Sequence, residues 1–194
     1  MFDIAQHDDT APAPGDLELL QRFINLHEHP SGGGRSFPPS REMLRDFLVR
    51  RGLLDDEERF TDADREEALR LAGALRNLIR TNAGGALSEA DADLIDRTVR
   101  AAGLHPHFRT ESDPTLEPSG AGVAAALGRL VAIAFVAAFD GTWQHLKLCA
   151  NDDCGAVFFD RSKNSSGRWC SMQSCGNRAK VRAWRERQRS HDGA

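Results

Sequence analysis

The first 148 of the 194 residues contain no cysteine, and all four cysteines fall between Cys149 and Cys175. Packing use would scatter them, so the clustering marks one site. No Cys-x-x-Cys dithiol occurs, which removes the common redox motif. No apolar run is long enough to cross a bilayer. The longest, Leu130–Phe139, has about half the length a span requires and reads as a buried core helix. The start of the chain lacks a signal-peptide pattern, because Met1–Gly15 is polar, acidic and proline-containing, so the expected location is the reducing cytoplasm. In that compartment clustered cysteines are more often metal ligands than disulfides. The chain also lacks a phosphate-binding glycine loop, a nucleophile elbow, a matched acid/base pair and an internal repeat. These absences argue against an enzyme.

Charge is unevenly distributed. Residues 143–191 carry ten Lys or Arg against four Asp or Glu, a net +6, whereas residues 1–142 carry fifteen against twenty-four, a net −9. An acidic body with a basic, polyanion-seeking end is implied.

The body is expected to be mainly α. After an unstructured lead over 1–15, helical spacing of Leu17, Leu20, Phe23, Ile24 and Leu26 predicts a helix over Asp16–His27. The glycine- and proline-rich stretch Pro30–Pro39 is a loop. Ser40 then caps a helix that Gly52 ends, and a third helix runs from about Asp62 to Thr81. A fourth spans Ser88–Ala102. Leu104–Leu116 reads equally as an irregular hairpin or a loop, and Pro118 and Ser119 introduce a long Ala-rich helix reaching about Leu146 and leading straight into Cys149.

The cysteines read Cys149-x4-Cys154 and, fifteen residues on, Cys170-x4-Cys175. Two close pairs joined by a short hairpin can place four sulfurs at the corners of a tetrahedron, which is what one structural zinc ion requires. The insert is expected to supply that hairpin, with a strand over Ala156–Asp160, a turn over Lys163–Gly167 and a return through Arg168-Trp169. Four cysteines leave no open coordination position for catalysis. The competing reading is two disulfides or buried free thiols. Little but the metal holds such a module, so losing one ligand, as in Cys170→Ser, is expected to unfold the module and spare the body.

From Gly176 to Arg189 the chain reads as one basic helix. Arg178, Arg182, Arg185 and Arg189 fall on one face, and Asn177, Val181, Trp184 and Gln188 form the neighbouring stripe. Val181 and Trp184 are expected to anchor onto Phe158, Phe159 and Trp169, leaving the arginines free to meet phosphates. With Lys180, and with Lys163 and Arg168 on the hairpin, they are the candidate nucleic-acid contacts. The competing reading is a solvated helix, or one docked on the acidic body.

Cys175-Gly176-Asn177-Arg178, together with Leu148-Cys149, Cys154-Gly155, Phe158-Phe159-Asp160, Arg168-Trp169-Cys170-Ser171-Met172 and Arg178-Ala179-Lys180, resembles the CGNR-type zinc finger. The body resembles the ABATE domain that accompanies this finger in bacterial proteins described as putative stress-induced transcription regulators. That likeness rests on Leu19, Phe23-Ile24-Asn25, Arg51-Gly52-Leu53-Leu54 and Ala68-Leu69-Arg70. The resemblance implies a helical domain over 16–147, then a zinc-bound β-hairpin and α-helix module over 148–190 and a tail over 191–194. It further implies Cys149, Cys154, Cys170 and Cys175 as zinc ligands, and a DNA-binding role in regulating transcription.

Other clusters are weaker. His27-Glu28-His29 and His105-Pro106-His107 invite a second metal, but residues two apart on a helix diverge and loop histidines are commonly solvated. Asp55-Asp56-Glu57-Glu58 reads as a solvated acidic linker. Asn25, within an apolar stripe, reads as a buried hydrogen-bonding tie between helices. Two classes of function remain. In one, the finger grips DNA while the body senses a ligand or forms a homodimer; in the other, the finger is a protein-interaction or RNA-binding module.

Overall fold

The computed structural model describes residues 10–26, 37–109, 112–151 and 153–192. His27-Glu28-His29 and the glycine run 32–34 lie outside them.

Each body helix carries its own start and stop. α1 (Leu17–Ile24) buries Leu17, Leu20, Gln21, Phe23 and Ile24. α2 (Arg41–Arg50) is capped by Ser40, whose Oγ accepts from the Met43 N–H at 3.3 Å. α3 (Asp62–Arg80) opens on a capping box in which Thr61 and Asp64 satisfy each other's backbone N–H groups, an arrangement worth about 1 kcal/mol. Ala68, Leu71, Leu75 and Ile79 form its buried stripe. α4 (Glu89–Ala102) is capped by Ser88 and ended by left-handed Gly103. The undecided stretch after it is an antiparallel hairpin of β1 (His105–Arg109) and β2 (Ser112–Glu117), with His105 opposite Glu117 and His107 opposite Thr115.

α5 (Gly122–Asp140) is the central helix, packing against α1, α3 and α4. By length and composition it is apolar enough to cross a membrane, although its longest unbroken apolar run is short, and half of it is buried in the protein. Where α4 crosses it the backbones approach closely, and a Cβ at Gly128 would lie 2.2 Å from the Cβ of Ala102. α5 is shorter than its apolar pattern suggests. Gly141 turns left-handed, and the Asp140 carboxylate accepts from the Thr142 N–H and hydroxyl at 2.8 and 2.6 Å. A short 3-10 turn (Trp143–His145), where the helix is expected to continue, then feeds a strand, β3 (Leu146–Leu148).

β3 pairs antiparallel with β4 (Val157–Phe159), Leu148 opposite Val157 and Leu146 opposite Phe159. The strand expected over Ala156–Asp160 is present as β4, but its partner is β3 and not a return through Arg168-Trp169. The first cysteine pair sits in the β3–β4 connection, and Arg168-Trp169 forms no strand, although the Arg168 carbonyl accepts from Ala150 N–H at 2.8 Å. Leu146 and Val157 are fully buried in the same apolar cluster as the body helices. β3 thus straddles the boundary expected at Leu148.

Side-chain amides weld the two parts. Asn25 donates to the Val157 carbonyl at 2.7 Å and accepts from the Val157 N–H at 2.8 Å, behaving like a neighbouring strand. It therefore ties α1 to β4 rather than one helix to another. Gln21 adds a bond to the same carbonyl and also accepts from Ala13 N–H at 2.7 Å. The lead is consequently packed at Ala13, which is buried, whereas an unstructured stretch through Gly15 was expected. Asn82 donates to the Trp143 and Leu146 carbonyls at 2.8 and 3.0 Å.

Candidate metal centre and basic helix

Cys149 follows β3, and its N–H donates to the Ala156 carbonyl at 2.8 Å, which closes the first knuckle. Left-handed Gly155 turns the chain after Cys154, whose N–H donates to the Asn151 carbonyl at 2.8 Å. The second pair opens the last helix. Ser171 caps a wide turn (Met172–Gly176) that carries Cys175 and runs into α6 (Asn177–Asp192). A Cβ at Gly176 would lie 2.9 Å from Sδ of the exposed Met172, so a side chain there would displace the methionine.

The four sulfurs all lie within 4.8 Å of one another. Cys154–Cys170 and Cys170–Cys175 are both 3.7 Å. A tetrahedron with metal–sulfur bonds of ~2.3 Å has edges of about 3.8 Å, and a disulfide needs ~2.05 Å, so the geometry is that of a four-thiolate zinc site. All four are free cysteines. Two of the thiols oppose ionisation: the hydrogen bond with Cys154 pushes the Cys170 pKa up, with burial and neighbouring thiols adding to it, and burial raises that of Cys149. A divalent cation at their centre reverses that penalty.

Between the pairs, Asp160 organises the loop. Its buried carboxylate accepts from Lys147 Nζ at 2.6 Å, Ser162 N–H at 2.9 Å and Gly167 N–H at 2.8 Å. Burial alone would raise its pKa; the Lys147, Ser162 and Gly167 hydrogen bonds outweigh that and hold it well below the usual carboxylate range. Buried Asn151 donates to Cys175 Sγ at 3.6 Å. Spacing rules single out neither residue, because their roles depend on contacts across the loop.

Two family models match the chain in the order the architecture requires, one described as "putative stress-induced transcription regulator" (ABATE) over residues 17–141 and the CGNR zinc finger over residues 145–188. The chain belongs to the ABATE family and carries a CGNR zinc finger. It accordingly holds one structural zinc ion, for which the four cysteines are in place. Neither family is an enzyme family. No curated protein matches the chain significantly.

At the C-terminal end of the CGNR finger, α6 packs chiefly on the wide turn that precedes it. The expected anchoring does not occur. Val181 and Trp184 are 47% and 56% exposed, and of the expected anchor surface Phe159 packs against the ABATE core instead. Arg178, Lys180, Arg182, Arg185 and Arg189 are all exposed, as are Lys163 and Arg168 on the loop. Arg182 meets Asp153 of the finger at 2.9 Å, and Arg168 stacks on Trp169 at 5.3 Å. Among the described residues none of these cations contacts an acidic residue of the ABATE body.

Among the described residues the four cysteines are also the one cluster of three or more side chains suited to a metal. His105 Nδ1 instead lies 3.2 Å from Ser119 Oγ, and His107 Nδ1 lies 3.7 Å from Glu117. The run Asp55–Glu58 is exposed, as expected.

Proposed function

We propose that this chain is a cytoplasmic DNA-binding transcription regulator in which the zinc centre presents α6 to duplex DNA. The observation that carries the reading is the state of α6. It is a 16-residue helix held at its N-terminal end, with six basic residues of which only Arg182 has a described acidic partner. Like charges on one helix repel, and phosphates relieve that repulsion through charge-assisted bonds and counterion release. Arg178, Arg182, Arg185 and Arg189 share one face, while Lys180 and Arg187 lie on the opposite one. At ~1.5 Å per residue the rod is about 24 Å long, and a major groove about 12 Å wide admits a helix with a phosphate strand on each side. Lys163 and Arg168 extend the basic surface onto the loop.

The zinc is structural in this reading. It fixes Cys175, hence the start of α6, relative to the hairpin welded to the body.

The test is fluorescence anisotropy of the zinc-loaded protein with a labelled duplex of mixed sequence, a hairpin RNA of equal charge, and the same duplex after metal removal. Submicromolar duplex binding that disappears with zinc supports the proposal. Exposed Trp184 and Val181 favour one other outcome, a protein or RNA partner, which gains the ground if the duplex is not bound.

A further inference from the structure

Four thiolates around Zn2+ carry a net charge of 2−. A dianion set into a protein is costly unless cations or N–H groups face it. Inside the finger, Asn151 supplies one such donor to Cys175. Next to Cys154 the body contributes a cation. Arg76, on α3, is only partly exposed. It donates to the Gly155 carbonyl, directly after Cys154, and to the Ile24 carbonyl at 2.6 Å. Its Nη1 lies 3.5 Å from where a Cβ on Gly155 would stand. Among the described residues no carboxylate pairs with it. A guanidinium taken from water, fixed by two carbonyls and given no described carboxylate calls for a counter-charge, and the carbonyl it grips belongs to the residue directly after the zinc ligand Cys154.

We propose that Arg76 is the counter-charge and positioning residue of the zinc centre, contributed by the helical body across its junction with the finger. Zinc retention then depends on α3 as well as on the four cysteines. The inference rests on the zinc site alone and is independent of the DNA reading.

The test compares the full-length, zinc-loaded wild type with Arg76→Met, which keeps much of the volume and removes the charge, and with Arg76→Lys, which keeps the charge and loses the fork. Zinc affinity is measured by competition with a chromophoric chelator. Alkylation of each cysteine by iodoacetamide is followed by peptide mass spectrometry. Arg76→Met is expected to raise the zinc dissociation constant by about 10- to 100-fold and to accelerate alkylation most at Cys154, whose thiolate loses its facing cation. Arg76→Lys is expected to restore most of the affinity. An unchanged dissociation constant in Arg76→Met overturns the proposal, as does equal acceleration at all four cysteines, since a purely structural bracket would loosen the finger uniformly. Should Arg76→Met fail to fold, Arg76→Lys decides: affinity within a few-fold of wild type supports the counter-charge, and a loss of tenfold or more overturns it.

Discussion

Replacing Asn25 by alanine breaks a buried contact between body and finger. The side chain is buried and makes two short hydrogen bonds to the Val157 backbone, at 2.7 and 2.8 Å. The Val157 carbonyl keeps its bond from Gln21 at 3.3 Å. The Val157 N–H has no such substitute and is left unsatisfied in an apolar surround, which costs about 1–3 kcal/mol in addition to about 1 kcal/mol for a lost bond. A total of roughly 2–4 kcal/mol is a large share of the ~5–15 kcal/mol that holds a typical fold. At about 2–4 °C per kcal/mol for a chain of this size, Tm should fall by roughly 4–16 °C. Scanning calorimetry with zinc in excess measures it. Asn25→Asp should do no better, because its carboxylate still accepts from the N–H but faces the Val157 carbonyl with no donor. A Tm within about 1 °C of wild type for Asn25→Ala would refute the weld.

Because Leu146 and Val157 lie in the body's core, Cys170→Ser should lower the stability of the whole chain in one transition, seen alike by helical circular dichroism and tryptophan fluorescence; two separated transitions, with the body unaffected, would restore the independent finger expected from spacing. Asp160→Asn should cost about 3 kcal/mol at neutral pH, since it breaks a buried ion pair. The Asp160 carboxyl is held below its unfolded value, so its stabilisation is present above about pH 4–5 and is lost as pH falls through the folded pKa; the difference between wild type and variant in urea titrations should shrink with acidification, and a constant difference would contradict that. Gly128→Ala should destabilise by about 1–3 kcal/mol through its overlap with Ala102, against little effect at open Gly73.

What could be read from the sequence was whatever local chemistry decides. Ser40, Thr61 and Ser88 begin helices and Gly52 and Gly103 end them where turn and cap rules place these residues, and the four cysteines announce a tetrahedral site through paired spacing. The hairpin was misjudged because a three-residue strand, Leu146–Leu148, continues the apolar character of α5, and only the Gly141 turn, stabilised by Asp140, separates them. The face of α6 was misjudged for a non-local reason. Val181 and Trp184 look like anchors, but Phe159, one of the aromatics they would cover, packs against the body. Arg76 was invisible in the same way, since nothing in the run Leu75-Arg76-Asn77 says that this arginine reaches a loop almost eighty residues later.

The most direct measurement is the salt dependence of duplex binding by the zinc-loaded protein, wild type against Arg185→Ala/Arg189→Ala. Both side chains are exposed, and among the described residues neither has an acidic partner. If α6 lies against the phosphate backbone, log Kd plotted against log salt should lose slope by roughly 1.8 in the double variant, near 0.9 per phosphate contact, with unrelated sequences weakened alike. An identical slope in wild type and variant would contradict it, and would mean that these arginines never meet DNA.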